Sequence, residues 1–128
     1  MNLFKNIFGS TEPERANSKV NWRALTDIGQ LNEIVNESSA KPVIIFKHST
    51  RCGISRMTLK QFENEYELED LVTPYFLDLL ENRDISNEVA KRFDIEHQSP
   101  QLILIKNGRA TYNASHSDIY ADALKRYI

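Results

Sequence analysis

The chain has 128 residues, 41% of them hydrophobic, which is enough for one domain around a single buried core. Sixteen Lys and Arg against eighteen Asp and Glu leave a net charge of -2, so the chain lacks the basic footprint of a nucleic-acid partner. Its lone cysteine, Cys52, excludes an internal disulfide and a Cys-rich metal site, and a reducing cytoplasm is the expected setting.

The chain opens with "MNLFKNIFGS", where Leu3, Phe4, Ile7 and Phe8 recur at helical spacing. Lys5 and Asn6 break the apolar run, which is too short for a signal-peptide core or a membrane span. A membrane-surface or partner-docking helix and a frayed tail both fit this pattern. The polar "STEPERANSK", with Pro13, reads as a linker. Residues 1–19 are therefore expected to be a flexible segment, followed by one domain over 20–128.

Thr26 or Asp27 can cap a helix whose apolar stripe is Ile28, Leu31, Ile34 and Val35, ending at Ser38-Ser39 before Pro42. "PVIIFK" is a continuous β-branched run, as in a strand covered on both faces, and should be the central strand. After the short loop "HSTRC", Ser55, Leu59, Phe62 and Tyr66 share one helical face from Gly53 onward. "TPYFLDLL" then reads as a strand with Pro74 near its start, and "NRDISNEVAKRF" as a helix with Ile85, Val89 and Phe93 on one stripe. This strand-helix-strand order implies a right-handed parallel crossover. "QLILIKNGRATYNAS" sets two strands around Asn107-Gly108, a strong hairpin signal. In the last segment, Ser115 and Asp118 have capping-box spacing and Ile119, Ala123, Leu124 and Tyr127 point toward one face of a final helix. The expected architecture is α/β, with a central mixed four-stranded sheet and helices on both faces.

Ligand chemistry in such a sheet belongs beyond the carboxyl ends of the parallel strands, where the loop carrying Cys52 lies. A thiol at the first turn of a helix meets unpaired N–H groups and the positive end of the dipole, and both favour the nucleophilic thiolate. Arg51, and with it His48 and Arg56, would add positive charge. A lone cysteine is commonly a small buried hydrophobe. This one sits in a polar loop between arginine and glycine, which favours a reactive thiol. Ser55 stands where a dithiol protein carries its second sulfur, and as a candidate catalytic residue its hydroxyl would donate a hydrogen bond to the thiolate, although a serine near a helix start is also a local capping hydroxyl. "HQSPQ" places Pro100 directly before the third strand, with Ser99 ahead of it and His97 and Gln98 close enough to be candidates for contact with a bound small thiol. His116 beside the cap reads as structural, and no two of the three histidines have metal-ligand spacing. Ile54 and Met57 lie off the buried stripe, as an apolar docking patch for clients or as packing against a neighbouring loop.

A cysteine at a strand-to-helix junction with a proline before the third strand resembles the thioredoxin fold, in which that proline has a cis peptide bond. The likeness covers roughly residues 20–128 in element order. Within that fold, "KHSTRCGIS", "ENRDISNEVAKRFDI" and "HQSPQLILIKNG" resemble the bacilliredoxin family of the YtxJ type. The resemblance implies a three-layer thioredoxin-like domain and a monothiol oxidoreductase that removes bacillithiol from client proteins carrying it as a mixed disulfide. It assigns the reactive thiol to Cys52 and the cis-proline to Pro100, with Ser99-Pro100 facing the thiol. Arg51, Gly53 and Ile54 would line the substrate side. It also implies a small thiol as co-substrate with no tightly bound cofactor, thiolated clients, an external thiol or disulfide reductase for recycling, and a monomer. Gly53 departs from the family, which often has proline there, and this bears on redox tuning. Two other classes fit parts of the pattern. Cys52–Ser55 is similar to the Cys-Gly-Phe-Ser motif of monothiol glutaredoxins, which hold an iron–sulfur cluster between two subunits, although the glycine pair before their last helix is missing here. A thioredoxin-like interaction module would leave Cys52 incidental.

Overall fold

The run Val43–His48 forms the middle strand of the sheet, and every residue of it is buried. Three branched aliphatic side chains in a row suit a strand packed on both faces. The architecture comes from a computed structural model of the chain, which describes residues 18–128. The expectations for the terminal stretch with Leu3, Phe4, Ile7 and Phe8 lie outside those residues.

In chain order the elements are β1 (Arg23–Ala24), α1 (Gln30–Glu37), β2 (Val43–His48), α2 (Gly53–Glu65), β3 (Thr73–Asp78), α3 (Arg83–Arg92), β4 (Gln101–Lys106) and β5 (Arg109–Ser115). Two short 3-10 turns, His116–Asp118 and Asp122–Arg126, close the chain. The strand order is β1-β3-β2-β4-β5; β1 and β2 run parallel to β3, and β4 pairs antiparallel with both β2 and β5. The sheet is therefore mixed, as expected, but it has five strands rather than four. The addition is β1, where Arg23 and Ala24 pair with Tyr75 and Phe76 along an open edge.

Alternation along β2 divides the core. Ile44 and Phe46 face a layer that contains Leu59 and Phe62 of α2 together with Ile119 and Leu124 of the closing turns. Val43 and Ile45 face Leu31 and Ile34 of α1 and Ile85 and Val89 of α3. Trp22 fills the first layer, its ring 5.6 Å from Phe76 and 5.9 Å from Phe46, and its Nε1 donates to Glu63 Oε2 at 2.7 Å.

Two helices differ from the sequence pattern. α1 starts at Gln30, because Gln30 Oε1 accepts from the N–H of Thr26 and Asp27 while Asp27 Oδ2 accepts from Gly29. Ile28 thus stays outside the helix and exposed. The expected final helix is replaced by the 3-10 turns, and Ser115 makes no side-chain cap. His116 takes φ 55°, and its N–H donates to the Pro100 carbonyl at 3.0 Å, which bends the chain where an α-helix would begin. Tyr127 ends up exposed, stacked on Tyr112 at 4.3 Å. The hairpin forms as read, with Asn107 at φ 53° and Gly108 at φ 77°, the left-handed pair that a tight primed turn requires.

Candidate functional site

The carboxyl end of β2, the carboxyl end of β3 and the amino end of β4 meet at one edge of the sheet, since His48 pairs with Asp78 and Lys47 with Gln101. Carrying the antiparallel register one step further sets Pro100 across from His48. Ser99-Pro100 is a cis peptide, and Pro100 is buried.

Cys52 is the N-cap of α2, with φ -104° and ψ 119°, and is half-buried. The loop before it is a tight turn in which the Cys52 N–H donates to Ser49 O at 3.1 Å, and Cys52 O in turn accepts from Arg56 N at 3.1 Å. Two side chains lock this turn. Arg56 Nη1 donates to Thr50 O at 3.0 Å. Ser55 Oγ accepts from the Ser49 N–H at 3.1 Å and lies 2.8 Å from His48 Nδ1.

Ser55 is wholly buried, and its hydroxyl meets the Ser49 N–H and His48 Nδ1, in place of the hydrogen bond to the sulfur that the sequence suggested. His48 is buried as well, its ring 5.4 Å from Phe76, so the pair braces the base of the loop. Arg51, Gly53, Ile54 and Met57, which flank Cys52 in the loop and the first turns of α2, are all exposed, Ile54 at 57% and Met57 at 73%. A Cβ on Gly53 would meet only Arg56 Nη2, at 3.9 Å, so the space there is open.

On the other side of the edge, the loop before Pro100 is tied down by Gln101, whose Nε2 donates to Glu96 O at 3.0 Å and whose Oε1 accepts from Gln98 N at 3.4 Å. Ser99 Oγ is buried without a hydrogen-bond partner among the described residues. His97 does not turn toward His48 and Ser55. Its Nδ1 lies 3.1 Å from Lys47 Nζ and 3.4 Å from Ser86 Oγ, on the α3 side of the sheet. Lys47 is completely buried, and that burial pushes its ammonium from 10.5 down to about 8. Burial, then the charges of Lys47 and Arg83, push His97 below its ordinary 6.5. The sequence reading passed over both Lys47 and Gln101. Alternation along "VIIFKH" puts Lys47 on the face of Val43 and Ile45, a signal present in the sequence.

An open polar cleft adjoins the loop, lined by Glu96, Gln98, Gln101, Ser115 and Asp118 among others, and Cys52 does not line it. Among the described residues no three His, Cys, Asp or Glu side chains gather as metal ligands, and no helix is long and apolar enough to cross a membrane.

A single thiol at the amino end of the helix that follows the central strand, across from a cis-proline loop, defines a monothiol protein of the thioredoxin fold. Solved structures agree on the fold. A thioredoxin-fold protein described as a candidate oxidoreductase is 32% identical with a TM-score of 0.69, covering 80% of this chain and 89% of its own. The thioredoxin Mala s 13 of Malassezia sympodialis is 21% identical with a TM-score of 0.66, over 86% and 90% of the two chains. Mitochondrial thioredoxin 3 of Saccharomyces cerevisiae is 19% identical with a TM-score of 0.65, over 84% and 92%. The model of the monothiol bacilliredoxin family BrxC matches residues 23–124, and the chain belongs to that family.

Proposed function

We propose that this thiol oxidoreductase removes bacillithiol, or a closely similar small thiol, from mixed disulfides on client proteins. The observation that carries the reading is Cys52 itself, the one sulfur of the cap position in a chain of the monothiol bacilliredoxin family. The Cys52 thiolate attacks the small-thiol sulfur of the client's disulfide. A new S–S bond joins Cys52 to the small thiol, the old one breaks, and the client leaves as a thiolate that takes up a proton. Ser55 carries no sulfur, so the adduct stays until an external thiol or a disulfide reductase attacks it. The site needs no bound cofactor for this exchange. The protein would work as a monomer in the cytoplasm, with exposed Ile54, Met57 and Arg51 meeting the client and Ser99-Pro100 its extended backbone.

Intact masses test the proposal directly. Reduced protein mixed with a bacillithiol-modified client should gain one small-thiol adduct while the client loses it, and Cys52→Ser should do neither. Release of the client thiol by Cys52→Ser would sink the assignment.

A further inference from the structure

Lys47 is a fully buried cation, and among the described residues no carboxylate reaches it; burial alone accounts for its altered basicity. A buried ammonium needs hydrogen-bond acceptors, because it has three donors and no lone pair. The acceptor it has is Nδ1 of His97, three residues before Pro100.

That contact fixes more than a distance. An ammonium can only donate, so Nδ1 must present its lone pair, and the ring proton of a neutral His97 must then sit on Nε2. Ser86 Oγ, at 3.4 Å from the same nitrogen, can donate to that lone pair as well and so is compatible with the same tautomer. A second proton on the ring would set an N–H against the ammonium. The other charged group facing His97 is Arg83 of α3, which opposes protonation too. Gln101 holds the backbone on either side of the ring through Glu96 O and Gln98 N. With Nδ1 committed to Lys47, an exposed His97 has Nε2 left to carry the ring proton, three residues before the cis-proline.

We propose that Lys47 is a positioning residue of this site: from inside the sheet it holds His97 neutral with its proton on Nε2, as a donor for an acceptor oxygen of the bound small thiol. The substrate half rests on the function proposed above, and the tautomer half does not.

Two-bond proton–nitrogen correlation spectra of nitrogen-15-labelled protein, assigned with a His97→Asn variant, read the ring directly. In the wild type at neutral pH, His97 should show an unprotonated Nδ1 and a protonated Nε2, and should titrate below 6.5. In Lys47→Met the tautomers should mix and the titration should move up. KM for a bacillithiol mixed disulfide should rise about fivefold, the loss of one hydrogen bond, with kcat nearly unchanged. A protonated Nδ1 in the wild type overturns the proposal, and this needs no variant to fold. An unchanged KM in a Lys47→Met protein whose His97 spectrum has changed overturns the substrate half. If the wild type transfers no bacillithiol while the spectra are as expected, the proposed function fails and the hold of Lys47 on His97 is supported.

Discussion

Replacing Lys47 by Met should make the protein more stable at neutral pH and should erase that advantage in alkali. Below pH 8 the lysine is charged in both the folded and the unfolded chain, and the full cost of its burial is present. Between about 8 and 10.5 the folded protein has released the proton while the unfolded chain still holds it. The unfolded state then binds more protons, so stability rises with pH through that window. The gap between 10.5 and about 8 corresponds to about 3 kcal/mol. Against it stands the lost bond to His97, about 1 kcal/mol at every pH. Lys47→Met should therefore exceed the wild type by about 2 kcal/mol at pH 7 and fall slightly below it near pH 11. Urea unfolding of both proteins across this range measures the difference. Tyr66, raised to about 12 by burial first and then by Glu69 and Asp70, is common to both and cancels. His97 titrates below the window. A wild type as stable as the variant at pH 7, or a gap that does not change with pH, would refute the reasoning.

Two predictions concern the thiol loop. Ser55→Ala removes the acceptor of the Ser49 N–H and the hydroxyl beside His48 Nδ1, and should cost about 2 kcal/mol, partly offset by the better helix propensity of alanine. In a thermal scan this is a drop of roughly 8 °C, and an unchanged Tm would show that the hydroxyl does not hold the loop. Gly53→Pro should stabilise by about 0.5–1 kcal/mol, because proline suits the first helical position, Cys52 already has the extended ψ of 119° that a following proline demands, and the space beside Gly53 is open. A lower midpoint in urea would mean that the Gly53 N–H or its freedom is needed where it stands.

Much of the fold could be read from local pattern because its main elements bury themselves in regular ways. "VIIFK" could only be an inner strand, and Asn107-Gly108 could only turn tightly between two others. The junction holding Cys52 followed from those placements. What escaped was decided by contacts between distant parts of the chain. β1 is two exposed residues with no periodicity, a strand only because Tyr75 and Phe76 present an edge to it. The last segment has the letters of a capped helix, but the His116 N–H is taken by Pro100 O, and the buried residues Ile119, Ala121 and Leu124 fall at the tighter spacing of the turns. Ser55 stands in the first turn of the helix that Cys52 caps, yet its hydrogen bonds run to Ser49 and His48, a direction that no spacing rule contains. Lys47 reads as the charged end of a strand, and only the sheet shows it sealed beneath His97.

The hydroxyl of Ser55 has a consequence for how such a protein would behave in bulk. The hydrogen bonds that hold the thiol loop involve hydroxyl, imidazole, guanidinium and backbone groups, none of which gains or loses electrons in disulfide exchange. In the exchange proposed above, the loop scaffold would therefore have no oxidised form of its own, and the only record of a turnover would be the small thiol on Cys52. Each chain would store one equivalent, so that capacity would follow copy number and throughput whichever outside thiol arrives to empty it.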